Sequence, residues 1–468
     1  MAGAGPRPAT LRTAFAIAWP ASLAAIITPV LGLIDIAVLG RGADAVALAG
    51  ASLGGAVISV LYWSFGFLRM SLSGLSAQAL GSKDEVQLRA YLLQGLGIGF
   101  TVGFVILILA SPIIAAGHML LVETSEASEE AGRAMETYLR VRLLAAPAVI
   151  ATTAVLGWLT GQGRTGLLMA ITTAIAVINA FLSVLFVLRM DQGIAGLAAA
   201  TALAEVAGLA LGGLAVLWVT HQRGGVRRHW SLARARMGLG ATMSLNRDIF
   251  IRTFLIDIVL LSFARLGAGF GDLTVAANHV LLNLILSVTL LLDGPAIAAE
   301  TFVGQAVGAK QNKGALFDAA WRETAKIITA EALFLFLCLA VFSSAVLRLI
   351  VGDGPDSAVV IAEAQRFMPW AIFMPLAVAA AYHLDGIYIG ATRADKLRDT
   401  MAMSALVFGA VAALSMPLIG NHGLWMALLI FMLMRGALLL HAWPVVKAAV
   451  LGHSVGMPPS RAAQDLPK

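Results

Sequence analysis

A charge held in the hydrocarbon of a bilayer costs about 2.5–3.5 kcal/mol on insertion scales, so a carboxylate within a long apolar run points to an ion, a substrate or a buried partner. Asp35 is the first such carboxylate, six residues before Arg41 and with Pro29 one to two turns earlier. Buried there, its carboxyl is suited to exchange a proton near neutral pH; pairing with Arg41 is the plainer alternative. Asn179 and Ser183 stand one helical turn apart at a depth comparable to Asp35. Together they could hydrogen-bond its carboxyl, where H⁺ or Na⁺ would sit, although Asn179 could equally serve only to join two helices. Further along are Asp257, Asp293, Glu300 and Asp385. Asp293 and Asp385 each occur in Leu-Asp-Gly, and such carboxylates could line a cavity that attracts organic cations. Glu300 is expected near a membrane boundary, solvated or paired with an arginine. Glu205, Arg435 and Arg69 also fall within apolar runs, and structural pairing is the expectation for these three.

Other chemistries find few residues. Cys338 is the single cysteine, so neither an intramolecular disulfide nor a cysteine metal cluster can be built from this sequence. Neither a Gly-x-x-x-x-Gly-Lys-Ser/Thr loop nor His-Glu-x-x-His is present, so energy must come from an ion gradient or from the substrate's own gradient. The string from Gly161 to Gly166 has dinucleotide-like glycine spacing, but it follows an apolar helix rather than a strand and is expected to be a tight turn. His279 and His383 are the histidines well inside expected helices, and neither belongs to a hydrolase motif.

The elements that must position these residues are set by composition. Of 468 residues, 59% are hydrophobic and 12% charged, whereas soluble domains carry about 25% charged residues. The mean hydropathy is +0.88. An ordinary soluble enzyme is excluded. With about 20 apolar residues needed per crossing, spanning helices are expected near 14–40, 46–72, 90–116, 137–160, 166–189, 194–220, 248–266, 274–300, 324–350, 366–390, 399–419 and 423–448. That is an all-α integral membrane protein of twelve helices. The first run is too long and lacks the small-residue cleavage site of a signal peptide, so it is expected to be retained. Prolines interrupt several runs, and Pro20 and Pro29 are candidate hinges in the first helix.

Short loops on the cytoplasmic side carry excess lysine and arginine. One alternate set of connections holds Lys83 and Arg89, then Arg164, then six arginines between Arg223 and Arg247, then Lys310 and Lys313, then Arg393, Lys396 and Arg398. The other set is poor in basic residues and includes the acidic segment Glu123, Glu126, Glu129 and Glu130. Both termini are therefore expected to be cytoplasmic, in a multi-pass protein of the inner (cytoplasmic) membrane. The net charge of +6 lies in these short loops rather than in a stripe with interleaved aromatics, so no nucleic-acid partner is expected.

The longest polar connection divides the helices six and six. Residues 1–220 form an expected N-lobe, 221–246 a cytoplasmic linker, and 247–468 a C-lobe with a short tail. The two lobes repeat one another at a shift of 222 to 230 residues: Leu33-Ile34-Asp35-Ile36 returns as Leu255-Ile256-Asp257-Ile258, and the Gln78 to Lys83 segment as Gln305 to Lys310. Pro147, Gly157, Gly161 and Arg164 pair with Pro375, Gly386, Gly390 and Arg393. An even number of helices per copy makes the repeat parallel, and transporters of this plan hold substrate between the halves and rock them.

The sequence resembles the multidrug and toxic compound extrusion family, in the branch named for the DNA-damage-inducible protein F. The resemblance is carried by the stretches from Pro29 to Gly40, Phe65 to Arg69, Gly74 to Gly81, Asn246 to Arg252, Leu292 to Glu300 and Leu384 to Thr392, and it covers essentially the whole chain. It implies two parallel-repeat six-helix bundles around a central cleft, exporting diverse and often cationic compounds by H⁺ or Na⁺ antiport. It also makes Asp35 the first-helix acid and Asn179 its fifth-helix polar partner. The pattern departs from the family at Ser183, where an acid is usual, and at Ile36, where threonine is common. One carboxylate fewer leaves fewer charged oxygens for a hard cation, which favours H⁺; Asp257 is a possible second titrating site.

The expected function is thus efflux of organic compounds by H⁺ antiport, Na⁺ being the weaker choice. No cofactor is expected beyond the coupling ion, and no enzymatic activity. Expected partners are the lipid bilayer and small organic substrates, with the chain a monomer. A flippase for lipid-linked precursors is the alternative, and it would need a basic cavity for pyrophosphate.

Overall fold

The computed structural model describes residues 8–42, 45–123, 128–352, 354 and 357–452. Among them every regular element is helical, as hydrocarbon demands of chains whose backbone groups must be satisfied locally. The first half contains α1 (Leu11–Gly42), α2 (Ala45–Trp63), α3 (Phe67–Gly81), α4 (Glu85–Ile108), α5 (Ala110–His118), α6 (Glu129–Leu143), α7 (Ala146–Gly161), α8 (Thr165–Ser183) and α9 (Gly193–Gln222). A short α10 (Leu232–Met237) lies in the connection. The second half contains α11 (Leu239–Gly267), α12 (Asp272–Thr289), α13 (Asp293–Gly308), α14 (Lys313–Val351), α15 (Ser357–Gly390), α16 (Ala394–Ile419), α17 (Asn421–His441) and α18 (Trp443–Leu451).

Among the described residues ten helical stretches are long and apolar enough to cross a bilayer, and α6 with α7, bent by 54° at Leu144–Ala145, would make an eleventh. The helix expected at 248–266 is present as α11 and has the length, but Arg247, Asp248, Arg252 and Asp257 make it too polar to stand among the ten. Large side chains such as Leu349 and Leu418, more than 80% exposed, point away from the protein, as lipid-facing residues do.

Helix ends follow local chemistry. Asp84 caps α4 by accepting from the Gln87 N–H at 2.8 Å, and Ser128 caps α6 through the Ala131 N–H. α11 begins at Leu239, inside the expected 221–246 linker. The rest of that connection is held against α4. The Arg89 guanidinium donates to the carbonyls of Thr220, Arg223, Gly225 and Arg228, Arg223 pairs with Glu85, and Gln94 donates to the Ala235 carbonyl.

Two spans are broken at corresponding places. α2 and α3 are separated by a turn at Ser64–Gly66, and α12 and α13 by a single 3₁₀ turn at Leu290–Leu292. Beyond each break the helix runs on to Gly81 and Gly308, well past the expected ends at 72 and 300.

Each half has its own apolar core. One cluster runs from Val38 to Ala198 and a second from Ala79 to Val219, while the largest, from Val259 to Met432, is built wholly from the second half. The halves meet where α3 and α13 cross. A Cβ on Gly81 would stand 2.2 Å from the Gln305 carbonyl oxygen, and one on Gly308 would stand 2.0 Å from that of Gln78. Reciprocal contacts between residues 227 positions apart are what a two-fold relation produces. The same relation holds within the halves: Gly157 and Gly161 of α7 abut the backbone of Arg69 and Ser73, and Gly386 and Gly390 of α15 abut that of Ala296 and Glu300. Only hydrogen lets these backbones approach so closely. Gln78 Nε2 donates to the Gly390 carbonyl at 2.9 Å and Thr301 Oγ1 to that of Thr160 at 3.0 Å, tying the halves together at this crossing.

Candidate functional site

Asp35 lies on α1, half-buried, facing the end of α8. Ser183 Oγ stands 3.2 Å from Asp35 Oδ1 and 3.3 Å from Asn179 Oδ1. Asn179 Nδ2 donates to Thr201 Oγ1 of α9 at 2.7 Å, and Thr201 donates to the Leu197 carbonyl at 3.1 Å. Asn179, Ser183 and Thr201 are buried. A π-helical turn, Val184–Arg189, begins immediately after Ser183, a feature often found at functional positions.

Next to this chain of hydroxyl and amide groups is an ion pair between Arg142 of α6 and Glu205 of α9 at 2.8 Å, and both act electrostatically on Asp35. Tyr62 Oη donates to the Arg142 carbonyl at 3.4 Å. Asp35 therefore has neighbours other than Arg41, for which no ion pair is present among the described residues. Pro20 is buried within the continuous α1, while the Pro29 side chain lies outside the described residues.

The second half holds a different arrangement. Asp385 of α15 accepts from Arg435 of α17 at 2.8 Å and from Arg252 of α11. Asp293, at the start of α13, is within electrostatic reach of Arg69, Arg252 and Asp385. Asp257 stands apart, half-buried, with no ion pair or hydrogen bond among the described residues. Glu300 is 2% exposed, so it is not solvated, and of the two roles expected for it the arginine-paired one has a candidate partner in Arg69, which acts on it electrostatically. Because α13 continues for eight residues past 300, Glu300 lies mid-helix against α3 and α15 rather than at an end.

The structure thus brings Asp35, Asn179 and Ser183 together, and separately Asp293 and Asp385. Thr201 and Arg142 escaped sequence reasoning, whereas Glu205 is structurally paired as expected. Thr201 is four residues before Glu205 on one helix face, a spacing that was available as a signal, whereas Arg142 could be assigned as partner only from the fold. Asn246 is also buried, with neither amide atom hydrogen-bonded among the described residues. His383 is accounted for by packing: Nε2 lies 2.8 Å from Thr324 Oγ1 and the ring stacks on Trp321. No group of three or more His, Cys, Asp or Glu side chains suited to hold a metal occurs among the described residues.

Comparisons with known proteins converge. The MatE family pattern matches twice, over residues 20–185 and 249–418, once in each half. DNA damage-inducible protein F of Escherichia coli is 34% identical over 427 residues, 91% of this chain and 90% of its own length. Protein DETOXIFICATION 44, chloroplastic, of Arabidopsis thaliana is 25% identical, over 91% of this chain and 80% of its own. Among solved structures, a MOP superfamily transporter from Pyrococcus furiosus superposes with a TM-score of 0.82 at 17% identity, covering 94% of this chain and 96% of that one. A multidrug resistance MATE family transporter in an outward-facing conformation gives 0.78 at 17% identity, with the same coverage.

Proposed function

The chain belongs to the MatE family of multidrug and toxic compound extrusion transporters, and from that premise we propose that it exports organic, often cationic, compounds by H⁺ antiport at Asp35. Two six-helix lobes rock about the α3–α13 crossing, with α11 as the seventh of twelve spans and the lobes at residues 1–220 and 247–468. The protein sits in the inner (cytoplasmic) membrane with the basic connections and both termini inside, so in this conformation the lobes close at the cytoplasmic end.

The observation that carries the proton is the single hydrogen of Ser183. A hydroxyl donates one hydrogen bond at a time, yet Ser183 Oγ has two acceptors within reach, Asp35 Oδ1 and Asn179 Oδ1. With Asp35 ionised, Ser183 turns to the carboxylate and Asn179 Oδ1 loses its donor. With Asp35 protonated, its O–H donates to Ser183, Ser183 donates to Asn179, and Asn179 donates to Thr201. The protonated state thus satisfies the whole chain, and a partly satisfied buried network is costly. Protonation is thereby coupled to how tightly α1, α8 and α9 draw together, which biases one access state over the other. Na⁺ would need several oxygen ligands, and this site offers one carboxylate.

The test is uptake of a fluorescent organic cation into proteoliposomes under an imposed pH or Na⁺ gradient. A pH gradient alone should drive transport in the wild type and not in Asp35→Asn. Transport driven only by Na⁺ would overturn the ion assignment. Binding of a lipid diphosphate with no cation transport under either gradient would restore the flippase, which the family match does not favour.

A further inference from the structure

The Asp35 mechanism leaves a second set of buried carboxylates unused, and we propose that Glu300, on α13 at the crossing of the two halves, is a further proton-binding site, occupied while the halves are closed there and emptied when they part. The proposal takes the direction of proton movement from the antiport function above; the site itself rests on separate geometry.

Glu300 faces Arg69 and Ser73 of α3, which belong to the opposite half. Ser73 is completely buried, and neither its Oγ nor Glu300 Oε1 has a hydrogen-bond partner among the described residues. Asp293 stands two turns earlier on the same helix and also acts on Glu300. Three guanidiniums serve this region, but Arg252 and Arg435 are both engaged by Asp385. Arg69 is left to serve both carboxylates of α13. Arg69 is the cation that acts on Glu300; of the other elements packed on α13, α1 offers Ser22, α7 the Thr160 carbonyl to Thr301, α14 Thr324, engaged with His383 of α15, α15 Asp385, and α18 Lys447, paired with Asp318.

An ionised Glu300 could draw the Ser73 hydroxyl as a donor, but it would remain a charge shut off from water and served by one guanidinium that it shares with Asp293, which is disfavoured. The neutral acid removes the conflict, since its O–H can donate to Ser73 Oγ. Parting the halves would carry Ser73 and Arg69 away with α3 and admit water. Hydration of the freed carboxylate outweighs the loss of one shared guanidinium, and the proton leaves on the side that has opened. A proton bound while this end is closed and released when it opens moves in the direction that drives export.

The experiment reads closure directly. Spin labels at Ser82→Cys and Gln311→Cys, just beyond the ends of α3 and α13, report the gap in full-length Cys338→Ala protein in lipid nanodiscs by pulsed EPR. As pH is lowered through the physiological range, the short-distance population should grow, and it should still do so in Asp35→Asn. Adding Glu300→Gln to that background should leave the protein closed at every pH. A pH response that survives in Asp35→Asn/Glu300→Gln, or one already absent in Asp35→Asn, overturns the proposal. Should Glu300→Gln fail to fold, Arg69→Gln gives the second reading. Losing the competing cation should move the closing midpoint to about tenfold lower proton concentration, and an unmoved midpoint overturns the proposal. Failure of pH-driven transport would sink the antiport function while leaving this distance measurement intact.

Discussion

At the scale of single residues, the two halves use their buried charges differently. In the first, Asp35 is placed against neutral hydrogen-bonding groups, with the Arg142–Glu205 ion pair beside it. In the second, Asp385 is bound by two guanidiniums. Removing one partner of a buried ion network leaves the rest uncompensated, at about 3–5 kcal/mol, so Asp385→Asn should lower the melting temperature of the purified protein sharply. Asp257→Asn, at a position without a partner, should stay within about 0.5 kcal/mol of wild type; equal melting shifts for the two would contradict this assignment. Ser183→Ala removes the donor that passes between Asp35 and Asn179. A lost hydrogen bond of about 1 kcal/mol should slow pH-driven uptake about fivefold without abolishing it. Ser183→Asp supplies the carboxylate that the family pattern has at this place, and Na⁺-driven uptake should appear in that variant.

At the scale of elements, the crossing of α3 and α13 depends on two glycines at equivalent positions. Gly308→Leu places a branched side chain where even a Cβ would stand 2.0 Å from the Gln78 carbonyl oxygen. The helices must separate, and the distance between labels at residues 82 and 311 should lengthen at every pH, with little loss of helix by circular dichroism. The connection between the halves depends on α4 in the same way. Arg89 holds three of its carbonyls and that of Thr220 at the end of α9, so Arg89→Ala should make the Arg223–Arg236 segment a site of rapid tryptic cleavage, which the wild type should resist. Apolar length revealed where most helices lie, because hydrophobic runs report transfer into lipid residue by residue. It did not reveal where α3 and α13 end. Residues 73–81 and 301–308 mix serine, glutamine and glycine with apolar side chains, and they are helical because another helix covers them.

At the scale of the whole molecule, two copies of one plan face each other across a close-packed glycine contact, each with a separate core. The rocking proposed for it suits this plan, since packed cores resist deformation and interfaces do not. If the basic connections lie in the cytoplasm, protease-cleavable tags at both termini should be protected in intact cells and cut only in inverted membrane vesicles. Cleavage of either tag in intact cells would reverse the assigned topology.

The sequence by itself determined an all-helical membrane protein, its internal repeat and its family, because hydropathy is local and a repeat is a comparison of the chain with itself. It also offered Asp35, Asn179 and Ser183 as one group, since comparable depth is readable from position along each run, while leaving open that Asn179 only joins two helices. Only the tertiary structure decided who partners whom. Arg142 meets Glu205, and Arg435 with Arg252 meets Asp385, over separations of 50 to 133 residues, and nothing in a local pattern specifies which face of one helix another will cover. Glu300 is the sharpest case. Its run of sequence ends where a membrane boundary is expected, and its burial depends on a helix from the opposite half lying across it.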